Sequence, residues 1–159
     1  MLWKELDREL IFLDLDVQCS DQVMDILGGT LVKAGYCKPD YVKALKKREK
    51  EFPTGIDTGL LGIAIPHTAV DYVNKGKIAI ARLVNKVPFH QMGNDEEVVN
   101  VKLVFMLAVD NPERHLTKLQ SIVEVIQDES ILMRLLNAKT EEQMIDAIKE
   151  KEMSECIRR

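Results

Sequence analysis

The chain is poor in cysteine, and the cysteines it has are not arranged for chemistry. Cys19, Cys37 and Cys156 are the whole complement among 159 residues. The number is odd, the spacing is wide and no CxxC pair occurs, so free thiols in a reducing cytoplasm are expected and a disulfide framework is not. No apolar run approaches the ~20 residues of a membrane helix. The start, Met1-Leu2-Trp3-Lys4-Glu5, mixes charges and shows no signal peptide. A cytoplasmic protein without direct membrane insertion is therefore expected. No basic cluster occurs, and the net charge is −4 with a pI near 5.5. That balance argues against nucleic acid or an anionic membrane surface as the main partner. The histidines, His67, His90 and His115, fit no short ligand spacing, so no metal is expected. No Walker-type loop or dinucleotide fingerprint exists, so ATP and NAD are not suggested, and no cofactor is expected. No serine or cysteine stands in a nucleophile elbow, and no carboxylate pair stands out. Repeats, linkers and low-complexity segments are absent too, and residues 1–159 read as one domain with its core at about 10–150.

What is present is ordinary globular material, 46% hydrophobic and 30% charged. Residues 10–16 look like a first strand. Ser20 offers an N-cap to a helix whose apolar face is Val23, Met24, Ile26, Leu27 and Leu31, with Gly28-Gly29 as an internal flaw and Gly35 as the stop. Pro39 suits the first turn of a second helix, with Tyr41, Val42 and Leu45 inside and the charged residues 46–51 solvated. Residues 78–83 read as a strand, Val87-Pro88-Phe89 as a short edge piece and residues 93–97 as a loop. Residues 101–109 form a near-continuous apolar run, which predicts a central strand buried on both faces. Asn111-Pro112-Glu113 opens a helix continued by Leu116, Leu119, Ile122, Val123 and Ile126. Asp128 caps another, Thr140 to Gln143 matches a capping box for the last, and residues 150–159 are expected to fray. Strands alternate with helices, so a layered α/β domain is expected.

The rest of the chain is organised around residues 55–68. Gly55, Gly59 and Gly62 make a glycine-rich turn, Ile63-Ala64-Ile65 is too short for a helix, and Pro66 cannot donate to a sheet ladder. His67 then falls just beyond the carboxyl end of a buried strand, where ligands gather in open α/β sheets. His115 falls in the first turn of the helix that follows the strongest strand. If the two strands are parallel neighbours, both imidazoles share one crevice, and the free N–H groups of that helix favour an anion such as a phosphoryl group. A neutral imidazole is a good nucleophile near pH 7. With a nearby arginine and threonine hydroxyls, the set suits accepting a phosphoryl group. His90, after Phe89, reads as plain surface.

Phe52-Pro53-Thr54-Gly55-Ile56 followed by Gly62-Ile63-Ala64-Ile65-Pro66-His67 resembles the IIA domain of the fructose/mannitol class of the bacterial sugar phosphotransferase system. Arg48-Glu49 upstream and Asn111-Pro112-Glu113 downstream are similar as well, over roughly residues 10–150. Residues 48–56 look most like the galactitol-type branch, and Thr68 departs from the glycine many members carry after the histidine. The resemblance implies an αβα sandwich with a mixed, mostly parallel sheet flanked by helices. It implies that His67 is phosphorylated, taking the group from the phosphocarrier protein HPr and passing it to a cysteine of a IIB subunit, which in turn links the chain to the membrane IIC permease. His115 matches a second active-site histidine and Arg48 an arginine near the phosphoryl group, with Thr54 and Thr68 beside it. Leu60, Leu61, Ala69 and Val70 flank His67 and are candidates for a docking rim. The other function compatible with the same histidine is regulatory, of the nitrogen-phosphotransferase type, signalling through protein binding.

Overall fold

The computed structural model describes residues 1–158. Its strands are β1 (Leu6–Leu15), β2 (Gly55–Asp57), β3 (Gly62–Ala64), β4 (Lys77–Gln91) and β5 (Asn94–Ala108). The helices are α1 (Ser20–Lys33), α2 (Tyr41–Glu51), α3 (Pro112–Ile126), α4 (Glu129–Asn137) and α5 (Glu141–Arg158). β5 lies between β4, to which it is antiparallel, and β3, to which it is parallel. β1 adds in parallel outside β4, and β2 folds back antiparallel on β3 and meets the far end of β4 at Gly55 and Gln91. The sheet is thus mixed. Parallel pairings are the more numerous, but the longest ladder, β4 with β5, is antiparallel.

Period-2 alternation along β5 explains the three layers. Leu103, Phe105 and Leu107 face Ile122, Leu132, Leu135 and Ile148 on α3, α4 and α5. Val104, Met106 and Ala108 face Leu27, Leu31, Tyr41 and Leu45 on α1 and α2. A strand covered on both sides needs apolar residues at every position, which is why this run shows no polar alternation. The αβα sandwich is the expected one.

Several local expectations change. Residues 93–97 are not a loop and residues 87–89 are not a separate edge piece: both belong to one hairpin that turns at Met92 and Gly93, with Gly93 at φ 81°. One face of the hairpin's outer half packs on the α1–α2 layer through Val87, Phe89 and Val99, while residues 94–98 at the tip are exposed. The polar residues of the tip therefore carry no burial signal, although Pro88–Asn100, Phe89–Val99 and His90–Val98 are paired. Ser20 is the first helical residue and Cys19 the cap, without a side-chain bond. Pro39 stands before Asp40, the cap of α2, and not in its first turn. Residues 150–158 do not fray. The Glu152 carboxylate accepts the N–H groups of Leu2 and Trp3, both at 2.9 Å, and Lys151 bonds Asp128 at 3.0 Å and Glu155 at 2.8 Å. Arg159 lies outside the described residues. Leu116 and Val123 are not inner-face residues, being 65% and 37% exposed.

The glycine pair in α1 is half explained by packing. A Cβ on Gly28 would meet Val42 Cγ2 at 2.9 Å, so Gly28 lets α2 approach, whereas Gly29 faces open space. Gly29→Ala is expected to raise stability by about 1 kcal/mol through helix propensity. Gly28→Ala is expected to fall below wild type, because the stiff valine must move. Urea midpoints of the two variants check both signs.

Candidate functional site

The position of His67 follows from a close strand contact. A Cβ on Gly62 would lie 2.1 Å from the Asn100 carbonyl oxygen, so only glycine lets β3 seat against β5 at that point. Pairing continues past β3: the Leu107 N–H donates to the Pro66 carbonyl at 3.0 Å, and His67 bridges in parallel with Leu107. β5 ends at Ala108, and α3 starts at Pro112. Asn111 caps α3, its Oδ1 accepting the Glu113 N–H at 2.8 Å. His115, one turn in, therefore comes back over the same strand end. The two imidazole centroids are 5.2 Å apart with planes at 59°.

The Nδ1 of His67 lies 2.8 Å from the Ile65 carbonyl oxygen. A carbonyl only accepts, so Nδ1 carries the proton and Nε2 of the neutral ring holds the lone pair. Burial pushes the His67 pKa below 6.5. The Ile65 hydrogen bond works the other way, and the charges of His115 and Arg48 lower it further. The ring is consequently neutral and nucleophilic at pH 7.

Arg48 is exposed in the last turn of α2, its guanidinium stacked 4.1 Å from the Phe52 ring centroid. Its field reaches His67. Thr54 is buried, and its hydroxyl is committed: Oγ1 donates to Glu49 Oε1 at 2.7 Å and its N–H to Glu49 Oε2 at 2.8 Å. Thr68 is buried directly after His67. The donors expected at the α3 N-terminus are largely used up. Pro112 has no N–H, Glu113 gives its own to Asn111 Oδ1, and Arg114 gives its own to the Asn111 carbonyl at 3.1 Å. The cap that starts the helix consumes them, so this helix end has few donors left for an anion.

Around the imidazoles, Leu60 is 42% exposed and Ala69 exposed, Val70 is half-buried against the α3–α5 core, and Leu61 belongs to that core. His90 instead lines a cleft of ≈ 360 Å³ with Lys46, Glu49 and Phe89. Sequence reasoning missed Glu49, Phe52 and Leu116. Glu49 is hidden in a charge run; the family resemblance includes it beside Arg48, and a threonine stands five residues on, but neither gives it a role. Leu116 satisfies the helical apolar spacing and so reads as core.

Residues 5–151 match the family model described as phosphoenolpyruvate-dependent sugar phosphotransferase system, EIIA 2. The galactitol-specific EIIA component of Escherichia coli K12 is 34% identical over 115 residues, covering 72% of this chain and 76% of that protein. The crystal structure of IIA mannitol from E. coli superposes with a TM-score of 0.74 at 29% identity, covering 90% of this chain and 98% of that one. The complex of E. coli mannitol IIA with phosphorylated mannitol IIB gives 0.76 at 28% identity, covering 91% and 97%.

His67 is expected to titrate below 6.5, and Arg48→Ala and His115→Gln are each expected to move its midpoint up by removing a charge that lowers it. Because the native pKa lies below the unfolded one, the unfolded chain binds more protons between the two. Stability then falls as pH drops through 6.5 toward the native value. NMR titration of the imidazole checks the midpoints. Urea unfolding at pH 7.5 and pH 5.5 is expected to show a smaller acid loss in His67→Gln.

Proposed function

This chain belongs to the phosphoenolpyruvate-dependent sugar phosphotransferase system EIIA 2 family, and from that premise we propose that it is the phosphoryl relay subunit of a sugar or sugar-alcohol transport system. The single observation that carries the reading is the pairing of His67 with His115 at 5.2 Å while the His67 Nδ1 is held by the Ile65 carbonyl. Nε2 attacks the phosphorus of a phosphohistidine on HPr. The P–N bond to HPr breaks as the P–Nε2 bond forms. A cysteine thiolate of a IIB subunit then attacks the same phosphorus, and the P–Nε2 bond breaks to return neutral imidazole. The Nδ1–H bond to Ile65 persists throughout, fixes the tautomer and offsets the positive charge that the phosphorylated ring acquires. Arg48 and His115 face the phosphoryl oxygens, and the transfer between side chains needs no metal. A galactitol-like substrate is favoured by the galactitol-specific relative. A IIB partner is favoured by the mannitol IIA neighbour, whose complex contains phosphorylated IIB.

Labelling with phosphoenolpyruvate, enzyme I and HPr is expected to mark wild type and not His67→Ala. A mutant labelled at the wild-type level overturns the assignment. Passage of the label to a galactitol-type IIB cysteine separates transport from a regulatory role, in which the phosphorylated chain keeps its label.

Both partners must reach the same imidazole, so they share one face, and brief docking suits a small, moderately apolar patch. Leu60 and Ala69 belong to that face, joined by Leu116, which follows His115 and is 65% exposed. Leu116→Glu is expected to weaken binding to HPr and to IIB while leaving the melting temperature unchanged, since the side chain is solvated. Chemical-shift mapping with HPr checks the location, and perturbations confined to a face remote from His67 and Leu116 refute it.

A further inference from the structure

We propose that Glu49 is a positioning residue that sets both the His67 imidazole and the Arg48 guanidinium through one hydrogen-bonded turn. Glu49 follows Arg48 in the last turn of α2 and touches neither imidazole in the hydrogen-bond network. Its carboxylate accepts twice from Thr54, at 2.7 Å from the hydroxyl and 2.8 Å from the N–H. This closes the chain over the helix end. Pro53 cannot donate an N–H there, so Thr54 supplies both donors. Two consequences run from the closed turn. Phe52 is placed under the Arg48 guanidinium, 4.1 Å from the ring centroid. Thr54, only 3% exposed, presents its carbonyl to the Ile65 N–H at 3.4 Å, and the Ile65 carbonyl holds the His67 Nδ1 at 2.8 Å. The same carboxylate thus stands behind the cation and behind the tautomer.

The chemistry of the pair supports a geometric role. Burial raises the Glu49 pKa, and the two Thr54 bonds act against that rise. The carboxylate is held as an acceptor facing inward, and Thr54 spends its only hydroxyl proton on it. Thr54 therefore supports the phosphoryl site through Ile65 and Glu49, and its hydroxyl proton does not go to the phosphate. The proposal rests on the reading that His67 carries the phosphoryl group, but its first test does not.

That test is ¹⁵N NMR of the imidazoles in the unphosphorylated protein. Wild type is expected to show His67 as the Nδ1-protonated tautomer. Glu49→Ala is expected to mix the tautomers and to slow phosphotransfer from HPr by on the order of tenfold to a hundredfold, in the maximal rate more than in KM. Glu49→Gln is expected to retain the tautomer and a near wild-type rate, because its carbonyl accepts the Thr54 N–H and its amide donates to the Thr54 hydroxyl oxygen. A pure Nδ1–H signature with an undiminished rate in Glu49→Ala overturns the proposal. So does a lost rate with an intact tautomer in Glu49→Gln, which assigns the carboxylate a chemical role. If Glu49→Ala does not fold, Thr54→Val keeps the backbone bond and deletes the hydroxyl. It is expected to show partial tautomer mixing, and an unchanged signature and rate there are equally fatal. Loss of the relay function itself reads out separately, as label retained in His67→Ala.

Discussion

The site depends on the parallel pairing of β3 with β5. Three residues of regular strand do little by themselves, but the pairing is carried past them by the Leu107 N–H bonded to the Pro66 carbonyl at 3.0 Å. Pro66 can accept and cannot donate, so it ends the ladder on one side while extending it on the other. The imidazole that follows is therefore fixed by the buried end of β5, residues 103–108. Because β5 leads directly into α3, that strand also delivers His115. Two residues 48 positions apart meet because one strand is the partner of the first and the predecessor of the second. The absent side chain at Gly62, where a Cβ would lie 2.1 Å from the Asn100 oxygen, is the local condition for this approach.

How much of this was legible in the sequence varies with burial. β5 announced itself because a strand covered on both faces must be apolar throughout. α3 announced itself because Asn111, Pro112 and Glu113 each suit a helix start for a separate reason. The tip of the β4–β5 hairpin did not, because residues 94–98 are exposed and are held by ladder bonds that any residue can make. The tail of α5 read as frayed for a similar reason. Its order comes from Glu152 gripping the N–H groups of Leu2 and Trp3, a contact between residues about 150 apart that no local pattern records.

The site shows the same division. His67 and His115 were picked out by residue type and position relative to strand and helix ends, and Arg48 by the family resemblance alone. Glu49 was not, because a carboxylate among Lys46, Lys47, Arg48, Lys50 and Glu51 looks like a solvated charge until the turn brings Thr54 back to it. The helix N-terminus misled in the opposite direction. A strong cap is a good predictor of where α3 begins, and for that same reason its first N–H groups are already bonded to Asn111. Anion binding at a helix N-terminus needs donors left free. The better the cap, the fewer remain.

In the relay we propose, Arg48 and His115 act on the transferred group, and their placement works differently at each stage. Before transfer, Arg48 and His115 make protonation of His67 harder, as burial does. This keeps the Nε2 lone pair free at neutral pH but also lowers the basicity of the nucleophile. The Ile65 carbonyl partly restores it by accepting from Nδ1. In the proposed relay, a phosphoryl group with between one and two negative charges would be attracted by the same positive field. Interactions that are unfavourable to the protonated ring and favourable to a phosphorylated one favour phosphorylation over the competing protonation of Nε2. The relay we propose also requires the phosphohistidine to give the group up to a thiolate. The half-exposed setting of His67 and the exposed Arg48 would temper that attraction with solvent screening and leave such a group transferable.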